Sequence, residues 1–302
     1  MKKILVGIFF AITSMSLLAK ETVTIVYAFG PADTMANYSR TLVAEANRIQ
    51  DKYTFVFDTK PGAGGAIAAN WLNNNPNNLV QHSSAFFIRP NFYPNDSYDI
   101  DHFKELLPQC VAPMAISSVK YKNWSEVPKD KPVTVGIAGL GSATHLIANQ
   151  ITKVYPNITL VPFKNTSEIF MAMIGGHVDF TVSLLGIPEE WNNGSNKTSV
   201  NILGITGNHS INGLALLTNQ GFPRSLEQMN LNQHLIVSSK LSDQKFKEWH
   251  KILTQAASAK SVQDSYEIDH CKSINTMTDR QAQVWFGREI RYWKELSQGE
   301  KN

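Results

Sequence analysis

From Val23 onward, short apolar runs alternate with stretches whose apolar residues recur every three or four positions. Val23–Phe29 reads as a buried strand. A helix follows from Asp33, with Met35, Tyr38, Leu42, Ala46 and Ile49 along one side. Tyr53–Lys60 is the next strand, and Pro61–Gly65 is a glycine turn into a small-residue helix, Ala66–Leu72. Leu79–Phe87 resumes as a strand. The middle of the chain repeats the pattern, with strands at Val133–Ala138, Ile158–Phe163, His177–Leu185 and Val200–Thr206 and helices at Ala143–Val154 and Ser167–Ile174. A further helix starts near Ser242, and the last runs from about Thr278 to Leu296. A chain that returns from each strand through a helix builds mostly parallel sheet with helices on both faces. The expected class is therefore α/β.

With 302 residues, the chain is long enough for two cores. Two stretches look like crossings between lobes: Leu107–Val119, which contains Pro108 and Pro113, and His234–Ser239. They divide the chain into a first lobe of residues 20–117 plus 235–302 and a second of residues 118–234. The first lobe is thus built from both ends of the chain.

The N-terminus reads as an address. Lys2 and Lys3 precede a short apolar stretch, Ile4–Met15, and Ala19 is followed by the polar pair Lys20-Glu21. This is the pattern of a secretory signal peptide, cleaved near Ala19. No cysteine stands directly after the leader, where position 20 is Lys, so the exported protein is expected to be soluble and not lipid-anchored. Of the formal charge of +3, two units belong to Lys2 and Lys3. A nearly neutral mature chain with no basic run offers nucleic acid no electrostatic footprint. Eight scattered histidines and two cysteines show no metal-ligand spacing, and no metal or cofactor is expected. An exported chain permits a bond between Cys110 and Cys271. Sequence alone does not place them within reach, and two separate thiols, each on or near a strand, are the default reading.

Three loops put glycine or small residues between a strand and a helix: Phe29–Asp33, Pro61–Gly65 and Gly139–His145. In an open α/β sheet, ligands bind at the carboxyl ends of strands. The free N–H groups and dipole of a helix start favour anions there. Each loop also has a structural reading. Asp33 suits a helix N-cap, His145 can hydrogen-bond within its own turn, and Asp179 on a buried strand needs a partner such as backbone N–H.

Five segments in order resemble one family. They are Asp58-Thr59-Lys60-Pro61-Gly62-Ala63-Gly64-Gly65-Ala66-Ile67-Ala68; Tyr98-Asp99 with Asp101 and Phe103; Gly139-Leu140-Gly141-Ser142 with His145-Leu146; Val161-Pro162-Phe163-Lys164; and Gly175-Gly176-His177-Val178-Asp179-Phe180. The chain resembles the substrate-binding proteins of tripartite tricarboxylate transporters, the Bug family of periplasmic solute receptors. The resemblance implies a two-lobed periplasmic-binding-protein (flytrap) fold that is monomeric, periplasmic and not an enzyme. It implies a small organic acid as ligand and membrane transporter subunits as partners. By position it implies ligand-binding residues Tyr27, Phe29, Gly30, Ala32, Asp33, Ala63 and Ser84 in the first lobe. In the second it implies Gly139, Ser142, Thr144, His145, Phe163 and Asp179. The chain departs from the pattern where Phe29 replaces a glycine, Asn37 an arginine and Asn165 a glycine, and where Asn77-Asn78-Leu79-Val80 stands for Asp-Gly-Tyr-Thr. A sensor subunit docking on a signalling receptor is an alternative with the same ligand site. A secreted hydrolase using Ser142, His145 and Asp179 is a third reading, weakened because Ser142 is not in a Gly-x-Ser-x-Gly elbow.

Overall fold

The computed structural model describes residues 20–95, 98–195 and 198–299, so the leader lies outside the described residues. In chain order the elements begin with β1 (Glu21–Tyr27), α1 (Ala36–Ile49), β2 (Tyr53–Thr59), α2 (Ala66–Asn74), β3 (Leu79–Ser83), α3 (Ala85–Phe92) and β4 (Phe103–Ala112). The middle runs through β5 (Met114–Ser118), β6 (Val133–Ile137), α4 (Ala143–Thr152), β7 (Ile158–Pro162), α5 (Thr166–Ile174), β8 (Phe180–Leu184), α6 (Gly186–Asn193) and β9 (Asn201–Ile205). The chain closes with β10 (Leu231–Ser238), α7 (Asp243–Ala257), α8 (Lys260–Glu267), β11 (Lys272–Ser273) and α9 (Asp279–Gly299). No described helix is long and apolar enough to cross a membrane.

The strands form two sheets. One has the order β11-β4-β10-β3-β1-β2 and the other β7-β6-β8-β5-β9. The β1–β2, β1–β3, β6–β7 and β6–β8 pairs are parallel, as the strand–helix alternation predicts. Antiparallel pairs appear where β10 joins β3 and β4, and where β5 joins β8 and β9. Helices cover the first sheet on both faces. Val23, Ile25, Leu42, Phe55, Leu235, Trp249 and Leu253 make one buried layer. On the other side Val26, Phe86, Phe87, Ile236 and Trp293 belong to a second buried cluster, which continues into the other sheet through Ala112, Met114 and Ile116.

Pro113 alone separates β4 of the first sheet from β5 of the second. Its carbonyl accepts from Leu185 N, and Met114 N donates to the Thr206 hydroxyl at 2.9 Å. The chain rejoins the first sheet at β10. His234 already pairs with His82 and Pro108 inside the first sheet, and the return passes through Asn230. Asn230 Oδ1 accepts from Thr206, while Asn232 N donates to Ser84 Oγ at 2.9 Å. Polar Asn232, Gln233 and His234 are all buried in β10, where polar partners await them.

The expected strand Leu79–Phe87 ends at Ser83, and Ala85–Phe92 is helix. Phe86, Phe87 and Ile88 are all buried, and three apolar residues in a row carry no period that separates strand from buried helix. Cys110 and Cys271 are disulfide-bonded, with Cα atoms 5.3 Å apart, which corrects the reading of two separate thiols. The two-residue strand β11 brings them together by pairing Ser273 with Cys110.

Candidate ligand-binding cleft

β3 pairs antiparallel to β10, and so does β4, so β1, β2, β3 and β4 all end at the edge that carries the crossings. In the second sheet β5 leaves the crossing and pairs antiparallel to β8, so β6, β7 and β8 end at that same boundary. The strand-to-helix turns of both sheets therefore stand on the two sides of the boundary between the lobes.

On the first side, β1 ends in buried Tyr27, with the Asp33 carboxylate close enough to act on its hydroxyl. Burial, then the Asp33 carboxylate, hold this phenol well above its usual range, so it remains a donor. Asp33 also accepts from Met35 N at 3.0 Å, the capping contact expected of it, although the helix itself starts at Ala36. Phe29 is half-buried and packs edge-on against Tyr27 and His82. Gly30 and Ala32 follow in the same turn, and a side chain on Gly30 would meet nothing within 4 Å. His82 is fully buried, and burial pulls its pKa down to about 3, so the ring is neutral. A Cβ at Gly65 would stand 1.9 Å from His82 Nε2, and Gly65 has φ +93°. Only glycine lets the turn after β2 lie on this ring. Ala63, in the same turn, has φ +48°. Ser84 is buried and gives its oxygen to Asn232 N, which makes it a tie to the returning crossing.

On the second side, Ser142 is the N-cap of α4. Its hydroxyl donates to Gly139 O at 2.8 Å, accepts from His145 N at 3.1 Å and meets Thr144 Oγ1 at 2.8 Å. Thr144 Oγ1 in turn accepts from Ala138 N. His145 is buried; its Nδ1 accepts from Gly141 N at 3.2 Å and its Nε2 faces Asn149. These side chains hold the loop's shape, so what the loop presents outward is backbone. Phe163 follows β7, with its N–H bonded to Ile137 O at 2.8 Å.

Asp179 is not part of this gathering, contrary to the position the family resemblance implies. It precedes β8, at the end of the sheet away from the boundary. There its carboxylate accepts from Thr134 N at 2.8 Å and pairs with Lys120 at 2.6 Å. This satisfies the backbone-partner reading of the residue. The hydrolase arrangement fails for the same reason. The Ser142 hydroxyl meets the His145 backbone and not its ring, and Asp179 is a strand's length away from both.

Several contacts join the lobes among the described residues, including Tyr292 of α9, whose hydroxyl donates to Ser225 O at 3.2 Å. Phe92 packs edge-on against His145 at 5.3 Å, and a Cβ on Gly141 would stand 3.2 Å from both Phe92 and Tyr93. On the opposite face, His270 pairs with Glu189 of α6. Beside that pair, Asp269, which accepts from Tyr38 at 2.7 Å, lies against Gly186. Sequence reasoning missed Phe92, Tyr93, Asp269 and His270, as well as Arg89. Reading α3 as strand hid the first group, and the bonded cysteine that holds the second was left open. Among the described residues no group of His, Cys, Asp and Glu could hold a metal ion.

Two α/β lobes, two adjacent crossings and opposed strand-to-helix turns define the two-lobed periplasmic-binding-protein fold. Solved structures agree. A periplasmic binding protein, BugD, superposes with a TM-score of 0.79 at 18% identity, covering 92% of this chain and 97% of its own. An R. palustris protein solved with adipate gives 0.79 at 17% identity, covering 93% and 97%. MatC from Rhodopseudomonas palustris, with bound malate, gives 0.75 at 17% identity, covering 92% and 99%. No protein-family model matches the chain. No curated protein matches it either.

Proposed function

We propose that this protein is a periplasmic solute-binding protein of the Bug type. It captures a small carboxylate between its lobes and delivers it to a tripartite tricarboxylate-type membrane transporter. The reading rests chiefly on one observation: the turns at Phe29–Asp33 and Ala63–Gly65 oppose the Gly139–His145 turn across the boundary between the lobes. Helix starts and glycine-lined turns on both sides suit an anion that bridges them. The adipate and malate in two similar structures are of the same chemical class. The leader of residues 1–19 supports export. Tyr27, Phe29, Gly30, Ala32, Asp33 and Ala63 are the first-lobe candidates for ligand contact, and Gly139, Ser142, Thr144, His145 and Phe163 those of the second. We assign residues up to Ala112 and from Leu231 onward to one moving body and Met114–Asn230 to the other. A ligand touching both bodies stabilises the closed arrangement.

The test is a thermal-shift screen of mono-, di- and tricarboxylates, aromatic ones included, with mass spectrometry of ligand that co-purifies. A saturable rise in the unfolding midpoint with one carboxylate is expected. No rise with any, and no organic acid co-purifying, would remove the proposal.

A further inference from the structure

Among the described cations near the boundary, most are spoken for. Lys60 pairs with Asp58 at 3.2 Å, while Arg40 bonds Pro31 O and Asn37. Arg89 differs. It lies near the end of α3, half-buried, and its Nε is fully buried without a hydrogen-bond partner. No carboxylate among the described residues lies within ion-pair distance of it. Its guanidinium sits over the Tyr93 ring, 4.4 Å from the centroid. Its Nη1 is 3.2 Å, and its Cδ 3.4 Å, from where a Cβ on Gly64 would stand. The edge of Tyr93 in turn lies against Gly141 of the second lobe. The guanidinium is therefore wedged between the glycine turn of one lobe and the ring that touches the glycine turn of the other.

Holding a guanidinium half out of water with no counter-anion is unfavourable unless an anion completes it. Stacking on Tyr93 fixes the plane of the group and leaves its edge donors to an incoming partner. The adjacent start of α2 adds a positive helix end on the same side. A planar fork of N–H donors matches the two oxygens of a carboxylate.

We propose that Arg89 is a ligand-binding residue that anchors one carboxylate of the solute, and that its site takes a carboxylate in preference to the corresponding neutral amide. This rests on the carboxylate-binding reading above and adds to it the group that supplies the charge. Because Arg89 also touches Tyr93, and through it the second lobe, an anion bound there draws on the contact that joins the lobes.

The experiment uses the mature protein, with titration calorimetry against the tightest-binding member of the carboxylate screen and against its amide analogue. Wild type should bind the amide about 10- to 100-fold more weakly than the acid, the range for losing hydrogen bonds to a charged group. Arg89→Gln should weaken the acid by a similar factor, leave amide binding nearly unchanged, and so erase the preference. Arg89→Lys should restore part of it. Equal binding of acid and amide by wild type would overturn the assignment without any variant having to fold. Wild-type affinity for the acid in Arg89→Gln would overturn it while leaving the carboxylate-binding reading intact. Failure of wild type to bind any carboxylate would instead defeat that underlying reading, and this one with it.

Discussion

His234 Nδ1 lies 2.6 Å from the Glu105 carboxylate, and both side chains are completely buried. Burial alone would pull the imidazole pKa down. The Glu105 charge, its hydrogen bond and the nearby Glu289 charge outweigh burial and raise it. Burial likewise raises Glu105. Both shifts have the same sign, so the folded pair keeps a proton that the unfolded chain releases. Its contribution is complete below the unfolded histidine pKa, about 6.5, and is lost as pH rises through the higher folded value. The unfolding midpoint should therefore fall as pH rises above about 6.5. Glu105→Gln removes the charge; it should flatten that fall and cost about 1–3 kcal/mol at pH 6. Thermal denaturation across the pH range checks both, and an unchanged slope in the variant would exclude this pair as the source.

The Cys110–Cys271 bond closes a loop with a sequence separation of 161, containing the whole second sheet. Removing it with Cys110→Ser and Cys271→Ser should cost about 2–5 kcal/mol. The bond also holds the segment that carries Asp269 and His270 against α6, so its loss should loosen that contact between the lobes. Calorimetric unfolding with and without reductant measures the first effect. Hydrogen exchange at 186–193 measures the second, and equal protection in both forms would argue against the coupling.

Gly141 has φ +74° and stands where a Cβ would be 3.2 Å from Phe92 and Tyr93. Gly141→Val meets an unfavourable backbone region and two aromatic side chains at once. A loss of about 1–3 kcal/mol is expected. Phe92→Ala in the same chain should recover part of it, since the two positions share one contact. Strict additivity of the two changes in chemical denaturation would place the damage in the backbone alone.

Ser142→Ala removes the N-cap of α4 together with the contacts to Gly139 and Thr144. It should lower stability by about 1 kcal/mol. Because the hydroxyl is already committed within the loop, ligand affinity should change through loop shape and less than in Arg89→Gln. A larger loss of affinity in Ser142→Ala than in Arg89→Gln, by calorimetric titration, would reverse that ranking.

The parallel core was legible in the sequence because strands Tyr53–Thr59 and Val133–Ile137 and helices α1, α4 and α7 each carry a period that local chemistry enforces. The glycine turns were legible too, since positive φ at Gly62, Gly139 and Gly141 leaves few alternatives to glycine. What each turn touches was not legible. Ser142, a site residue by resemblance, also caps α4, and Asp179, another, is bound to Thr134 at the far end of its strand. Arg89 gave no signal at all, because its meaning lies in the absence, among the described residues, of a counter-charge near Gly64 and Tyr93, which are distant or inconspicuous in sequence. The pairing of Cys110 with Cys271 and the burial of Glu105 with His234 were likewise decided by strand neighbours β11, β4 and β10. Periodicity is a property of adjacent residues and fixes which face is buried. Partnership depends on which strands lie side by side, and only the folded chain sets that.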